Sequence, residues 1–409
     1  MRPGEGSAHM RVLIAHNRYQ FAGGEEAVVR DEIELLRGMG HEVAEYTRDN
    51  KELPDMGALS AGAQALWSRR TVSEVGAMLG SFRPDILHVH NTFPLISPSI
   101  FWSGQTGSHS PAVVQTLHNF RLVCIEPLLM RGGEVCEQCV GKVPWRGVVH
   151  RCYRQSLAQS LVAAGALQLH RGLGTYRSRV HRFIALTDFA KEKFVSAGFE
   201  ARKVIVKPNF VAPDPGPAYR GPRSRGIFVG RLSREKGLEV LAGAVASSKL
   251  PPVDVVGAGP DQDRLQLHPT LRLLGWKPPE AVRDLIRHAS YLVIPSICYE
   301  GLPRALLEAY ALGVPVIASR LGPLCELVKD GDTGLLFEPG SIADLARRLS
   351  WAEQHPEQIR HMGESARKLY LRSYTPEQNY KRLLSIYGEA AHEARRTCEA
   401  ASGDAPRPR

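Results

Sequence analysis

Long apolar runs are missing from this chain. No uninterrupted apolar stretch reaches the ~18 residues that mark a membrane-spanning helix, and the longest candidate, Leu157 to Leu169, is broken by Gln159, Ser160 and Gln168. The first ten residues, MRPGEGSAHM, are polar and glycine-rich. The apolar run after them, Val12 to Ala15, is far too short for a signal-peptide core, so export is not expected and a cytoplasmic location is. Cysteine is scarce, with seven in 409 residues. In a chain without an export signal these read as reduced thiols or metal ligands, not as a disulfide framework. Solenoid-type repeats and nucleic-acid modules are also lacking. The formal charge of +10 and pI near 9.3 create a field that attracts anions such as phosphorylated small molecules or acidic lipid head groups. Lys and Arg are scattered, so nucleic acid is not an expected partner.

What is present is alternation. β-type runs at 11–17, 41–46, 84–91, 111–119, 182–188 and 203–209 form one series. A second comprises 226–232, 252–259, 271–276, 291–297, 315–319 and 333–339. Helical patterns fall between them at 25–39, 157–169, 189–197, 237–247, 278–288 and 341–354. Strands separated by helices imply right-handed crossovers and parallel sheets covered on both faces. The length exceeds what one core usually serves, so the two series predict an α/β chain of two Rossmann-like, doubly wound domains. The stretch 207–226, rich in Pro and Gly, reads as the linker. The domains are therefore drawn at 10–208 and 209–376, with a last helix at about 377–398 packing back on the first domain. Residues 1–9 and the tail after about 399 read as disordered.

Open α/β sheets bind ligands at the carboxyl ends of their strands, and two motifs fall there. In "GRLSREKGLEVL" the strand ends at Gly230, Arg231 and Lys236 flank a polar turn, and Gly237 opens a helix. Free N–H groups, helix dipole and two cations suit a diphosphate, although such a turn is equally often a solvated loop. In "YLVIPSICYEGLPRALLEAYALGVPVIAS" Pro303 suits the first helical turn. Glu300 then lies in the loop and Glu308 about one and a half turns inside the helix. Helical side chains lean toward the N-terminus, so both carboxylates face the strand-end cleft. Two D-x-D triplets, 261–263 and 330–332, read as a helix start and a glycine turn before they read as Mg²⁺ sites. Metal-independent chemistry is expected, with no cofactor required for catalysis.

Together with Gly23 and Gly24, "TLHNF" around His118, "VGAGPDQDRL", "LGW" and "VKDGDTGLLFEPG", these segments resemble the E-x7-E class of retaining GT-B glycosyltransferases, glycosyltransferase family 4. The resemblance spans nearly the whole chain. It implies transfer of a hexose-type sugar from a nucleoside-diphosphate sugar to a glycan or lipid-linked acceptor, in cell-surface polysaccharide or glycolipid assembly. By the same resemblance Arg231 and Lys236 bind the diphosphate, Glu308 accepts from the ribose, and Glu300 contacts the transferred sugar. Amides of Gly301 and Leu302 touch phosphate and sugar, Gly257, Gly259 and Trp276 lie near ribose and base, and His118 lies beneath the sugar. Catalytic roles are expected for Glu300, His118, Arg231 and Lys236. A nucleotide-sugar epimerase and a non-catalytic sugar-nucleotide-binding protein are the alternatives.

Two features stand outside this scheme. Cys124, Cys136, Cys139 and Cys152 contain a central C-x2-C, half of a zinc knuckle; a structural zinc of four thiolates and free or redox-sensitive thiols both remain open. The apolar helix after Tyr153, followed by Arg171, Arg177, Arg179 and Arg182, either rests on an anionic bilayer at the inner membrane face or is an interior helix with solvated arginines.

Overall fold

A computed structural model of the chain describes residues 9–20, 23–104, 110–216, 219, 221 and 223–403. Most of the stretches read as disordered, and part of the linker, lie outside the described residues. Twelve of its strands form two parallel sheets. The first domain contains β1 (Arg11–Arg18), β2 (Glu42–Asp49), β3 (Ile86–Val89) and β4 (Ala112–Leu117). A small antiparallel hairpin follows, β5 (Met130–Arg131) and β6 (Glu134–Val135), and then β7 (Arg182–Ala185) and β8 (Val204–Val206). Its large sheet runs β2-β1-β3-β4-β7-β8, with Val12 paired to both Val43 and Ile86. The second domain holds β9 (Gly226–Val229), β10 (Val253–Val256), β11 (Leu271–Gly275), β12 (Tyr291–Ile294), β13 (Val316–Ser319) and β14 (Gly334–Phe337). Their order, β11-β10-β9-β12-β13-β14, is the doubly wound order, with its switch point between β9 and β12.

The strands read as apolar runs because both faces are covered: every residue of β3, β12 and β13 is buried. All twelve strands expected from the sequence form in the two sheets. Helices at Ala58–Leu66, Arg69–Phe82 and Pro356–Ser373 were not anticipated. Among the described residues no helix is long and apolar enough to cross a membrane.

The linker is not solvated throughout. Lys207, Asn209, Phe210 and Val211 are buried, because this stretch runs beneath the domain junction. The chain crosses between the domains twice, at 207–211 and 373–376, and the crossings lie side by side. The Val211 amide donates to the Tyr374 carbonyl at 3.4 Å, and Asn379 Nδ2 donates to the Pro208 carbonyl at 2.7 Å. The helix Pro376–Gly403 lies on the first domain, where Tyr380, Leu383, Ile386, Tyr387 and Ala390 share a core with Val12, Ile14 and Ile33.

Candidate active site

The site grows from the carboxyl ends of the two sheets, which face each other. At the switch point of the second domain, β9 runs into Gly230 and Arg231, and the left-handed Gly237 (φ 69°) starts the helix Leu238–Ser248. A side chain on Gly237 would strike the Pro295 carbonyl in the loop after β12. That contact sets Lys236 beside Glu300: its Nζ donates to both carboxylate oxygens, at 2.7 and 2.9 Å. Ser296, fully buried, donates to Glu300 Oε1. Burial alone would pull the Lys236 ammonium down, but the facing Glu300 outweighs it and holds the lysine above its usual range. Arg231 is exposed and makes no ion pair among the described residues, so its cation points to solvent beside the turn.

Pro303 caps the helix Arg304–Ala311 instead of entering its first turn. Glu308 is buried, and its Oε1 accepts from Arg304 Nε at 3.0 Å. Burial raises the Glu308 carboxyl even though Arg304 opposes the shift. Arg304 reaches across the cleft and donates to Asp31 Oδ2 at 2.6 Å. The sequence signal for this bridge was weak, since one arginine in a helix and one aspartate in another look like ordinary surface charges.

From the first domain, Gly24 faces this helix start, with the position of a Cβ on it 3.8 Å from Arg304 Cβ. Gly23 caps the helix Gly24–Gly38, and its amide donates to Glu26 Oε2 at 2.7 Å. Gly301 lies against His118, so that a Cβ there would sit 2.9 Å from the His118 carbonyl oxygen. The His118 ring stacks on His90, with His118 Nε2 2.9 Å from His90 Nδ1. Burial, with His90 and His16 nearby, keeps His118 neutral. Beneath this pair Glu32 lies 3.5 Å from His90, 3.0 Å from His88 and 2.9 Å from Lys207 Nζ. Glu32, His88 and His90 are spaced like metal ligands, yet the Lys207 ammonium already supplies the cation and the set does not fit a metal. The H-x-H of "HVHN" at the end of β3, two residues on one face of a strand, was the signal for this layer.

Gly257 and Gly259 let the β9 and β10 loops touch, since side chains there would strike the carbonyls of Gly230 and Leu232. Leu302 is buried in the same apolar cluster as Leu186 of the first domain. Trp276 stands 71% exposed, beyond β11 and two strands from β9. Asp330 of the second D-x-D is bound to Arg320 and the Leu336 amide, which fits the turn reading. A hollow of ≈ 740 Å³ near Asp332 and Arg347 opens at the amino end of β14, opposite the cleft, and plays no part in this site. Of the arginines at the end of and after Leu157–Gly172, Arg171 donates to the carbonyls of Lys142 and Leu122, and Arg182 pairs with Glu389 and Glu393. Both serve the fold.

Two doubly wound domains closing on a cleft with paired carboxylates, a lysine and a buried histidine layer define the GT-B architecture. The profile "Glycosyltransferase Family 4" matches residues 22–215, and "Glycosyl transferases group 1" matches 222–369. The chain belongs to the GT-B glycosyltransferases of family 4. It is 31% identical over 157 residues to D-rhamnosyltransferase WbpZ of Pseudomonas aeruginosa, covering 36% of this chain and 41% of that protein. It is 27% identical over 222 residues to the alpha-D-kanosaminyltransferase of Streptomyces kanamyceticus, 52% and 54% of the two chains. The chain spans about a third to a half of the length of the curated relatives it matches. Anabaena HepE, solved with UDP and glucose, superposes with TM-score 0.64 at 18% identity over 93% of this chain and all of the other. Sucrose-phosphate synthase from Thermosynechococcus elongatus superposes with TM-score 0.67 at 17% identity, over 96% of this chain and all of the other.

Proposed function

We propose that the chain is a retaining glycosyltransferase. It moves a hexose-type sugar from a nucleoside-diphosphate sugar to a glycan or lipid-linked acceptor in polysaccharide or glycolipid assembly. The observation that carries this reading is the Lys236–Glu300 pair beside Gly301, which meets His118 of the first domain across a closed cleft. In it Lys236, joined by Arg231 when the donor is bound, stabilises the charge that develops on the departing diphosphate. Glu300 is then released to hold hydroxyls of the sugar, Glu308 accepts from the ribose, and neutral His118 floors the pocket. The leaving phosphate takes the acceptor proton on the same face, so no carboxylate acts as nucleophile and no metal is required. HepE, a fold neighbour, was solved with UDP and glucose, which supports a nucleotide-sugar donor here.

The acceptor side supports contact with an anionic membrane. Trp145, Val149, Leu157 and Leu161 are each more than half exposed, and Arg146, Arg151 and Arg154 are exposed beside them in sequence. Apolar side chains fringed by cations suit an anionic interface. The test of function is donor screening by thermal shift, because a tight ligand raises apparent stability, followed by nucleoside-diphosphate release with and without acceptor. Stabilisation by one donor and acceptor-dependent release are expected. Donor interconversion without acceptor would identify an epimerase, and no release would identify a binding protein.

A further inference from the structure

The cleft leaves the four cysteines without a role. They fall in residues 120–156, which contain as regular structure only the β5–β6 hairpin and the short helix Trp145–Val149. Connections longer than about 12–15 residues with so little structure of their own are uncommon in compact domains. Some order comes from Val123, Ile125 and Leu129, which are buried, and from Arg171, which ties down the Leu122 and Lys142 carbonyls. The remainder of the segment turns around sulfur.

Cys124, Cys136, Cys139 and Cys152 line one small hollow of ≈ 10 Å³, together with Arg131 and Arg146; that is room for about one small atom. Cys124 and Cys139 are buried, and the position of a Cβ on Gly147 lies 3.9 Å from Cys139 Sγ. None of the four is in a disulfide. The C-x2-C pair turns back on itself, with the Val140 amide donating to Glu137 and the Lys142 amide to Cys139. Gly141, in the left-handed region at φ 69°, allows that reversal.

We propose that these four cysteines bind a structural zinc ion. The thiols lose their protons to solvent on binding, and Arg131 and Arg146 offset the net negative charge of a four-thiolate zinc centre. Among the described residues no three of these sulfurs lie within 4.8 Å of one another, so zinc binding has to draw the set inward.

The site has a mechanical output. Glu137, inside the C-x2-C, accepts from Lys193 at 2.6 Å and from the Tyr299 hydroxyl at 2.8 Å. Tyr299 precedes Glu300, so the metal-held turn braces the donor loop from the other domain.

The full chain, purified without chelator from zinc-replete medium, should carry about one zinc per chain by elemental analysis. Cobalt exchanged into it should show thiolate-to-metal charge transfer and the visible bands of a tetrahedral tetrathiolate centre. Cys136→Ser/Cys139→Ser should reduce bound zinc at least about tenfold, while Cys325→Ser keeps it. Less than about a tenth of an equivalent in the unaltered chain, or a Cys124–Cys139 disulfide by mass spectrometry, overturns the site. So does zinc retained by the double variant. Should that variant fail to fold, the cobalt spectrum of the unaltered chain decides. Metal content is read without any transfer assay, so the zinc and the transferase readings can fail separately.

Discussion

Lys236 grips both oxygens of Glu300, at 2.7 and 2.9 Å: the cation assigned to the diphosphate is already spoken for by the carboxylate assigned to the sugar. Donor binding is therefore an exchange of partners within a part-buried pair, not the filling of an empty socket. Lys236→Ala should lower kcat about 10²–10³-fold, the usual cost of losing one donor to developing charge. Steady-state release of nucleoside diphosphate measures it, and a change under about threefold would remove the lysine from the mechanism.

Arg304 holds Asp31 and Glu308 at once, and all three are largely buried. Arg304→Ala strands Glu308 and leaves Asp31 only the exposed Arg30 at 3.2 Å, so a loss of about 3–5 kcal/mol in denaturant unfolding is expected. Lysine should not restore it, because a single ammonium cannot serve both partners with the same planar geometry.

Glu308→Ala should act mainly on donor binding, raising the donor KM about tenfold or more with a smaller fall in kcat, as expected for a contact already made in the ground state. Isothermal titration with donor checks the binding half directly. An unchanged donor affinity would leave the carboxylate as a structural clamp on Arg304.

Protons report on the buried histidines. Burial, reinforced by His90, lowers His16 to about 3 and His88 to about 4, whereas both titrate near 6.5 once unfolded. Unfolding thus takes up protons in acid, and the stability they contribute is present above about pH 6.5 and lost as the pH falls toward 4 and 3. The two together give a slope of up to about 3 kcal/mol per pH unit below pH 6. Urea titrations at pH 7, 6 and 5 measure it, and His16→Asn should remove about half. Glu25 has the opposite sign. Burial and Glu26 raise it to about 8, so its contribution is present below about 4.5 and lost as pH rises through 8; Glu25→Gln should flatten that alkaline loss.

Membrane contact is tested by co-sedimentation with vesicles. Trp145→Asp/Leu161→Asp should reduce binding to anionic vesicles several-fold while leaving donor binding unchanged, since both side chains are more than half exposed and neither is assigned to the donor site.

The sheets were legible because a parallel strand buried on both faces leaves a continuous apolar run, and the loops at 230–237 and 296–303 because glycine, proline and charge collect there. Lys236 and Glu300 were visible for that reason. Arg304, Asp31 and Glu32 were not: each is one charged residue on a helix, and only tertiary packing, across the cleft for Arg304 and Asp31 and against His88, His90 and Lys207 for Glu32, decides that it is buried and paired. Trp276 was visible as a residue after a glycine turn, whereas its exposure was not. Lys207 sat in a stretch that composition marked as linker, although it is almost wholly buried against Glu32.

The paired crossings at 207–211 and 373–376 govern how the cleft can open. A lobe hung from a single strand could swivel freely, whereas one suspended from two adjacent cords is confined to swinging about the line through both. The donor lobe should therefore part from its neighbour like a door, along one path that carries Gly301 away from His118 and returns it to the same seat.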